Sequence, residues 1–185
     1  MSRARRRRAR DRRRAEASQD NRKVDLHMHS LLSDGRDSPE SMLEACFRTG
    51  LEIVSLTDHD IAPSVASGLH RSGDRQLWHI HGVELSARHE GEELHILAYF
   101  PGDMPIEFRS YCRQRTAARA SRYRQLLSEL PVSGLTAPES DGAEQSLTRL
   151  HLAEALVRGG HASSVGEAFT RWLRGMKSPS HFPTV

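Results

Sequence analysis

The chain has 185 residues, eleven of them histidine, enough for one domain with a sizeable core. No window holds 18 consecutive apolar residues and no short apolar run follows the basic N-terminus, which argues against a membrane span and a secretory signal. The formal charge of +3 hides a division: residues 1–24 hold eleven Lys/Arg and three Asp/Glu, a net of +8, and the other 161 residues carry 16 basic and 21 acidic groups, a net of −5.

Residues 1–22 form an Arg-rich tail with almost no apolar residues, and the composition predicts disorder. Such an arm can contact RNA phosphates weakly and without specificity; a solubilising extension or an over-long start would read the same way. The acidic body that follows is no general nucleic-acid binder but suits a cation site. Order begins at Lys23, where KVDLHMHS alternates as a strand does. The loop LLSDGRD follows. Ser38 then caps a helix, Pro39 takes its first position and Gly50 ends it. Residues 51–57 predict a second, buried strand closed by Asp58-His59-Asp60, with Asp60 as the N-cap of a short helix or turn over residues 62–69. Residues 76–87 predict a third strand, and residues 93–100 pair with it as a hairpin. Residues 105–130 predict an Arg-rich helix with Tyr111, Ala118, Tyr123, Leu126 and Leu127 as its apolar stripe. A Pro/Ser/Gly loop over residues 131–145 leads to two further helices, over 147–158 and 163–174. Cys46 and Cys112 lie far apart, outside any CxxC pair, and read as reduced thiols of a cytoplasmic protein.

Residues with metal-ligand chemistry recur at strand ends. His27 and His29 lie two apart, so a strand projects both to one face, about 7 Å apart along the backbone. Asp34 lies in the loop after them, His59 in TDHD, Glu84 in GVELSA and His95 in the hairpin. Imidazole with carboxylate suits Zn, Mn or Fe rather than Ca, and Asp34 and Glu84 can bridge two cations. Ser30 and Ser33 have no paired base in the sequence, which argues against a serine phosphoenzyme. His70, His79, His81 and His89 read as packing or surface residues.

The ordered set VDLHMHSLLSDG, TDHD, GVELSA and HILAYF resembles the PHP (polymerase and histidinol phosphatase) superfamily over residues 23–172. The likeness is greatest to its stand-alone branch of 3′,5′-nucleoside bisphosphate phosphatases and short-RNA 5′→3′ exoribonucleases. The resemblance implies an α/β fold, a distorted (β/α)7 barrel with a helical insert, and up to three divalent ions, usually Mn, Zn or Fe. It implies that His27, His29, Asp34, His59, Glu84 and His95 are metal ligands. It implies a phosphoesterase acting through metal-activated water on nucleotides or short RNA 5′ ends, or on another monoester such as histidinol phosphate. Within LTRLHLAEAL, Arg149 and His151 match an Arg-Pro-His segment that would bind substrate phosphates, with Leu150 in place of the proline. The expected division is a tail over 1–22, the N-terminal part of the barrel over 23–104, the insert over 105–175 and a return to the barrel over 176–185. The family's later Ala-His-Pro and Asp-x-His ligands have no counterpart here, since His161 and His181 lack that context. A truncated gene product, a fragment of a longer frame, half of a two-chain protein and a non-catalytic remnant are therefore all open readings.

Overall fold

The structure, a computed structural model, describes residues 23–136 and 145–176. The tail over 1–22, the middle of the Pro/Ser/Gly loop and, apart from Met176, the expected return over 176–185 with His181 lie outside the described residues. Strand β1 (Val24–Met28) leads to helix α1 (Pro39–Thr49) and strand β2 (Ile53–Leu56). The Ser38 hydroxyl accepts the Ser41 N–H at 3.2 Å, and Gly50 closes α1 at φ 72°, a left-handed conformation that glycine adopts without strain.

Two strands then form a hairpin, β3 (Gly68–Ser72) and β4 (Arg75–His79). Together with the first two they make a four-stranded sheet in the order β1-β2-β4-β3, parallel between β1, β2 and β4 and antiparallel between β3 and β4. Leu43 and Cys46 of α1 pack on Val54 and Leu77 to cover one face. A second sheet pairs β5 (His81–His89) with β6 (Glu92–Phe100), joined by Glu90 and Gly91, both at positive φ as a tight primed turn requires. Thus the predicted third strand is two strands in two sheets, broken at Ile80. Gly82 is the reason that β5 can cross β2 closely: a Cβ there would lie 2.2 Å from Ser55 Oγ and 2.6 Å from Thr57 Cγ2. No helix forms over residues 62–69, where the chain bends and then enters β3.

The rest is helical. Helix α2 (Ile106–Glu129), helix α3 (Arg149–Arg158) and helix α4 (Val165–Glu167), which continues as a π-turn over Ala168–Leu173, share a cluster built on Tyr123, Leu126, Leu152, Leu156 and Leu173. Of the predicted stripe on α2, Tyr123 and Leu126 are buried, but the buried face also carries Arg115, Arg119 and Arg122. Asp60 draws two of them inward. It caps no helix, contrary to expectation. It sits at φ 53°, fully buried, with Oδ2 2.6 Å from Arg119 Nε and Oδ1 3.4 Å from Arg115 Nε. Its Oδ1 also accepts the Ser86 N–H at 3.0 Å. Burial would raise the Asp60 pKa, but Arg119 and then Arg115 outweigh it and hold the carboxyl below its ordinary range. Cys112 beneath this group is pushed up to about 12 by burial and by Asp60, so its thiol is inert. Both cysteines are buried and unbridged, as expected. No helix among the described residues is long and apolar enough to cross a membrane.

Removing one member of a buried ion pair strands its partner. Asp60→Ala should destabilise the chain by about 3–5 kcal/mol. Urea unfolding measures it, and a loss below about 1 kcal/mol would mean that the arginines are hydrated and not truly buried.

Candidate metal centre

The site lies where β1 and β2 end and β5 begins. His27 and His29 leave the end of β1, and the bulge between Asp25 and Met28 sets their aim. The loop that follows is tightly tied. Ser33 and Gly35 donate backbone N–H groups to the Ser30 carbonyl at 3.0 and 2.9 Å, and a Cβ on Gly35 would lie 2.1 Å from the His29 carbonyl oxygen. Only glycine fits, and the turn it permits returns Asp34 to the histidines. On the other side, His59 pairs with Glu84 through an isolated parallel bridge, and Asp60 donates its N–H to the Glu84 carbonyl at 2.9 Å.

These elements bring together all six residues expected as ligands. Glu84 is the hub, with a residue exposure of 4%. Its Oε2 lies 2.9 Å from His27 Nε2, 2.9 Å from His29 Nε2 and 3.9 Å from His59 Nδ1, and its Oε1 lies 2.7 Å from His95 Nδ1. Asp34 forms a second centre, with Oδ1 3.1 Å from His29 Nδ1 and Oδ2 3.4 Å from His59 Nε2. Consecutive imidazole centroids along His27, His29, His59 and His95 are 5.2, 4.7 and 4.8 Å apart.

Three overlapping triads could each hold a cation: His27, His29 and Glu84; His29, Asp34 and His59; His59, Glu84 and His95, the ligand atoms of each lying within 4.8 Å of one another. The donor set of imidazole nitrogens and carboxylate oxygens fits a transition-metal cation. His59 adds an independent sign of fit: its Nδ1 is buried and makes no hydrogen bond.

Electrostatics follow from the same contacts. Burial would raise the Asp34 pKa, but hydrogen bonds to His29 and His59 hold it well below the usual carboxylate range. Burial likewise opposes ionisation of Glu84, and the His27 hydrogen bond with the charges of His59, His29 and His95 outweighs it. Burial would lower the His29 pKa, but Asp34, Glu84 and Asp58 raise it above its ordinary value.

A cavity of about 210 Å³ opens beside the cluster. Asp34, His59, Glu93 and His95 line it together with Arg119, Arg122 and Arg149, and Leu126, Leu147, Leu150 and Phe169 are among its apolar lining. Arg149, expected at the substrate, therefore reaches this cavity, with its guanidinium 5.6 Å over the Phe169 ring and a bond to the Leu173 carbonyl. His151 does not line it. Its Nδ1 accepts the Thr148 N–H at 3.0 Å and completes the cap of α3.

The other histidines stand apart. His79 and His81 are buried and donate to the Ala66 and Val65 carbonyls, each at 2.9 Å, and His70 also donates to Ala66. His161 donates to the Ser133 carbonyl at 3.1 Å. The sequence reading missed Asp58, Arg119 and Arg122. For Asp58 a signal existed in the two serines of the preceding loop; for the arginines, 60 residues away, there was none.

Residues 25–163 match the PHP domain family. A 5′-3′ exoribonuclease from Haemophilus influenzae is 30% identical over 161 residues, which cover 84% of this chain and 58% of the relative. A 3′,5′-nucleoside bisphosphate phosphatase from Chromobacterium violaceum is 26% identical over 156 residues, 81% of this chain and 54% of the relative. The chain thus spans little more than half the length of these curated relatives. Among solved structures, a Bifidobacterium adolescentis protein, assigned only provisionally as a metal-dependent phosphoesterase, superimposes with a TM-score of 0.65 at 23% identity, over 89% of this chain and 60% of its own. That likeness concerns the fold alone.

Metal binding at this cluster must displace a proton from His29, whereas Asp34 and Glu84 are already ionised near neutrality. Apparent affinity for Zn or Mn should therefore rise as pH climbs from about 6 to 8, with proton release largest at the acid end. Titration calorimetry in buffers of different ionisation enthalpy measures both. An affinity flat across that interval would exclude His29 as a ligand.

Proposed function

The chain belongs to the PHP domain family, and on that footing we propose that it is a metal-dependent phosphoesterase of small nucleotides or short RNA 5′ ends. The observation that carries the reading is the convergence of His27, His29, His59 and His95 on the buried Glu84 carboxylate, with Asp34 beside them. We assign these six as the ligands of Mn, Zn or Fe ions, up to three in number. We read β1, β2 and β4 as part of a distorted (β/α)7 barrel spanning 23–104, because the cluster sits at parallel-strand ends as barrel sites do. Residues 105–175 are then a helical insert that roofs the site, and the protein is cytoplasmic.

When bound, divalent cations supply activation of a water and charge for the attacking and leaving oxygens. The chain's own groups do the rest. The cavity wall of Arg122 and Arg149 meets the negative charge of a phosphate, and Arg149 can grip it with two parallel N–H bonds. Its Leu126, Leu150 and Phe169 surface excludes water and accepts the apolar faces of a nucleoside. Phosphoryl transfer asks for placement and charge neutralisation more than covalent chemistry. Contrary to expectation, Ser30 and Ser33 each have a basic partner in Asp58, but at 0% and 1% exposure neither oxygen is open to a phosphate in the cavity. The names of the relatives, an exoribonuclease and a nucleoside bisphosphate phosphatase, support the nucleotide substrate class. An RNA contact by the Arg-rich tail would extend the same substrate preference.

Phosphate release by the purified chain from adenosine 3′,5′-bisphosphate, a 5′-phosphorylated RNA trinucleotide and histidinol phosphate tests the reading. Turnover of the first two with Mn or Zn is expected, and turnover of histidinol phosphate alone would move the chain to the other monoester class. Two or more bound equivalents of metal with no turnover on any substrate would mark a binding remnant. His27→Ala and Glu84→Gln should lower metal content and rate together, the rate by at least about a hundredfold. Full rate with unchanged metal in either variant refutes the ligand assignment.

A further inference from the structure

Asp58 belongs to none of the three triads, yet it is only 2% exposed and sits behind them. Three donors converge on it. Its Oδ1 accepts the Ser30 N–H at 2.7 Å and the Ser33 hydroxyl at 2.6 Å, and its Oδ2 accepts the Ser30 hydroxyl at 2.7 Å. Both serines are buried, and each has found an acceptor for its proton.

A hydroxyl has one proton to give. The Ser33 oxygen also lies 3.4 Å from Asp34 Oδ1, but the 2.6 Å contact to Asp58 is the charge-assisted length and takes the proton. Toward His29 Nδ1, 3.3 Å away, Ser33 Oγ can then only accept. Asp34 Oδ1, 3.1 Å from the same nitrogen, is also an acceptor. With two acceptors and no donor around it, Nδ1 is the nitrogen that keeps its hydrogen when a cation takes Nε2. Nε2 faces an acceptor too, Glu84 Oε2 at 2.9 Å; a cation bound at Nε2 takes the place of any hydrogen there and leaves the one on Nδ1.

We propose that Asp58 and Ser33 are positioning residues of the metal centre: Asp58 takes the Ser33 hydroxyl proton, Ser33 Oγ takes the His29 Nδ1 hydrogen, and His29 Nε2 is thereby presented to a cation. The inference rests on the metal-centre reading above. It differs from that reading in naming residues that touch no cation. Asp34 also accepts from Nδ1, but it is a candidate ligand whose oxygens a cation would claim. Ser33 is the acceptor for which no cation competes. Metal-bound imidazoles depend on such partners on the far nitrogen, whose loss weakens binding by about 10–100-fold.

Two measurements test it on the full chain. The first is zinc affinity by competition with a chromophoric chelator, for wild type, Ser33→Ala and Ser30→Ala. Ser30→Ala is the control, since it removes a bond to Asp58 but leaves the acceptor at His29. Ser33→Ala should weaken zinc binding by about 10–100-fold, and Ser30→Ala by no more than about threefold. The second is the long-range proton–nitrogen spectrum of the zinc-loaded imidazoles, with His29 followed from its metal-free resonances, assigned through His29→Asn. Wild type should show His29 with hydrogen on Nδ1, and Ser33→Ala should show a larger fraction on Nε2. An Nε2-protonated His29 in wild type overturns the proposal, as does a folded Ser33→Ala with wild-type zinc affinity and an unmoved spectrum. Should Ser33→Ala fail to fold, the wild-type spectrum decides alone. Wild type that binds no zinc or manganese would instead overturn the metal-centre reading on which the inference rests.

Discussion

The buried pairing of Asp60 with Arg119 and Arg115 is the contact on which the rest depends. A carboxylate removed from water is expensive, and two guanidiniums at 2.6 and 3.4 Å offset that cost only if they are held in place. Helix α2 holds them, and so the pairing ties the helical part to the strands. It also fixes the backbone at the left-handed turn of Asp60, whose N–H meets the Glu84 carbonyl while the Glu84 N–H reaches back to the Asp58 carbonyl. His59 lies between these two bonds. One buried charge thereby sets the distance between His59 and Glu84, residues 25 positions apart in sequence. Arg119 extends the hold, donating to Ser86 Oγ at 2.6 Å on the far side of Glu84.

The cluster that this frame supports is stable for a reason that also makes it selective. Two carboxylates held near several imidazoles favour ionisation of the acids and protonation of His29, so protons can occupy part of the site. A cation competes with those protons for the same atoms. Binding is then an exchange within a preformed constellation, with little reorganisation of the backbone. The tight Ser30–Gly35 loop serves this end. Gly35 packs on the His29 carbonyl, and Asp58 fastens both loop serines.

How much of this was legible in the sequence depended on range. Helix α1 was readable because Ser38, Pro39 and Gly50 each act within one turn of their own position. The β5–β6 hairpin was readable from its alternation and its turn. The break between β4 and β5 was not. Residues 76–87 alternate without interruption, and what divides them is the close passage of Gly82 over Ser55 and Thr57, a tertiary contact. Asp60 misled for the same reason: locally it precedes Ile-Ala-Pro as a cap would, but its partners lie 55 and 59 residues downstream. Those partners also spoiled the apolar stripe expected on α2, because arginine counted as a surface residue until a buried acid required it. The six candidate ligands were legible as an ordered pattern of residue types, and the structure brings them together. Their supporting shell was not, since hydroxyl-to-carboxylate bonds leave no periodic trace.

Charge in the chain is divided so that the cavity can work against the sign of the body around it. Outside the first 24 residues the chain is net negative, which would repel a phosphate ester from most of its surface. The cavity wall of Arg119, Arg122 and Arg149 reverses that sign at one place, next to the cluster. Asp60 pairs with Arg119 inside the fold, and Arg122 and Arg149 add two further guanidiniums to the lining, with the Glu93 carboxylate among them. Burial lowers the hold of Arg122 on its proton, Glu93 opposes that, and Arg119, Arg149 and Arg88 add to it. An anion in the cavity would relieve that strain, and it would do so beside the candidate ligands and nowhere on the acidic exterior. On the proposed phosphoesterase reading, these guanidiniums would add a condition of charge to the condition of shape set by Leu126, Leu150 and Phe169.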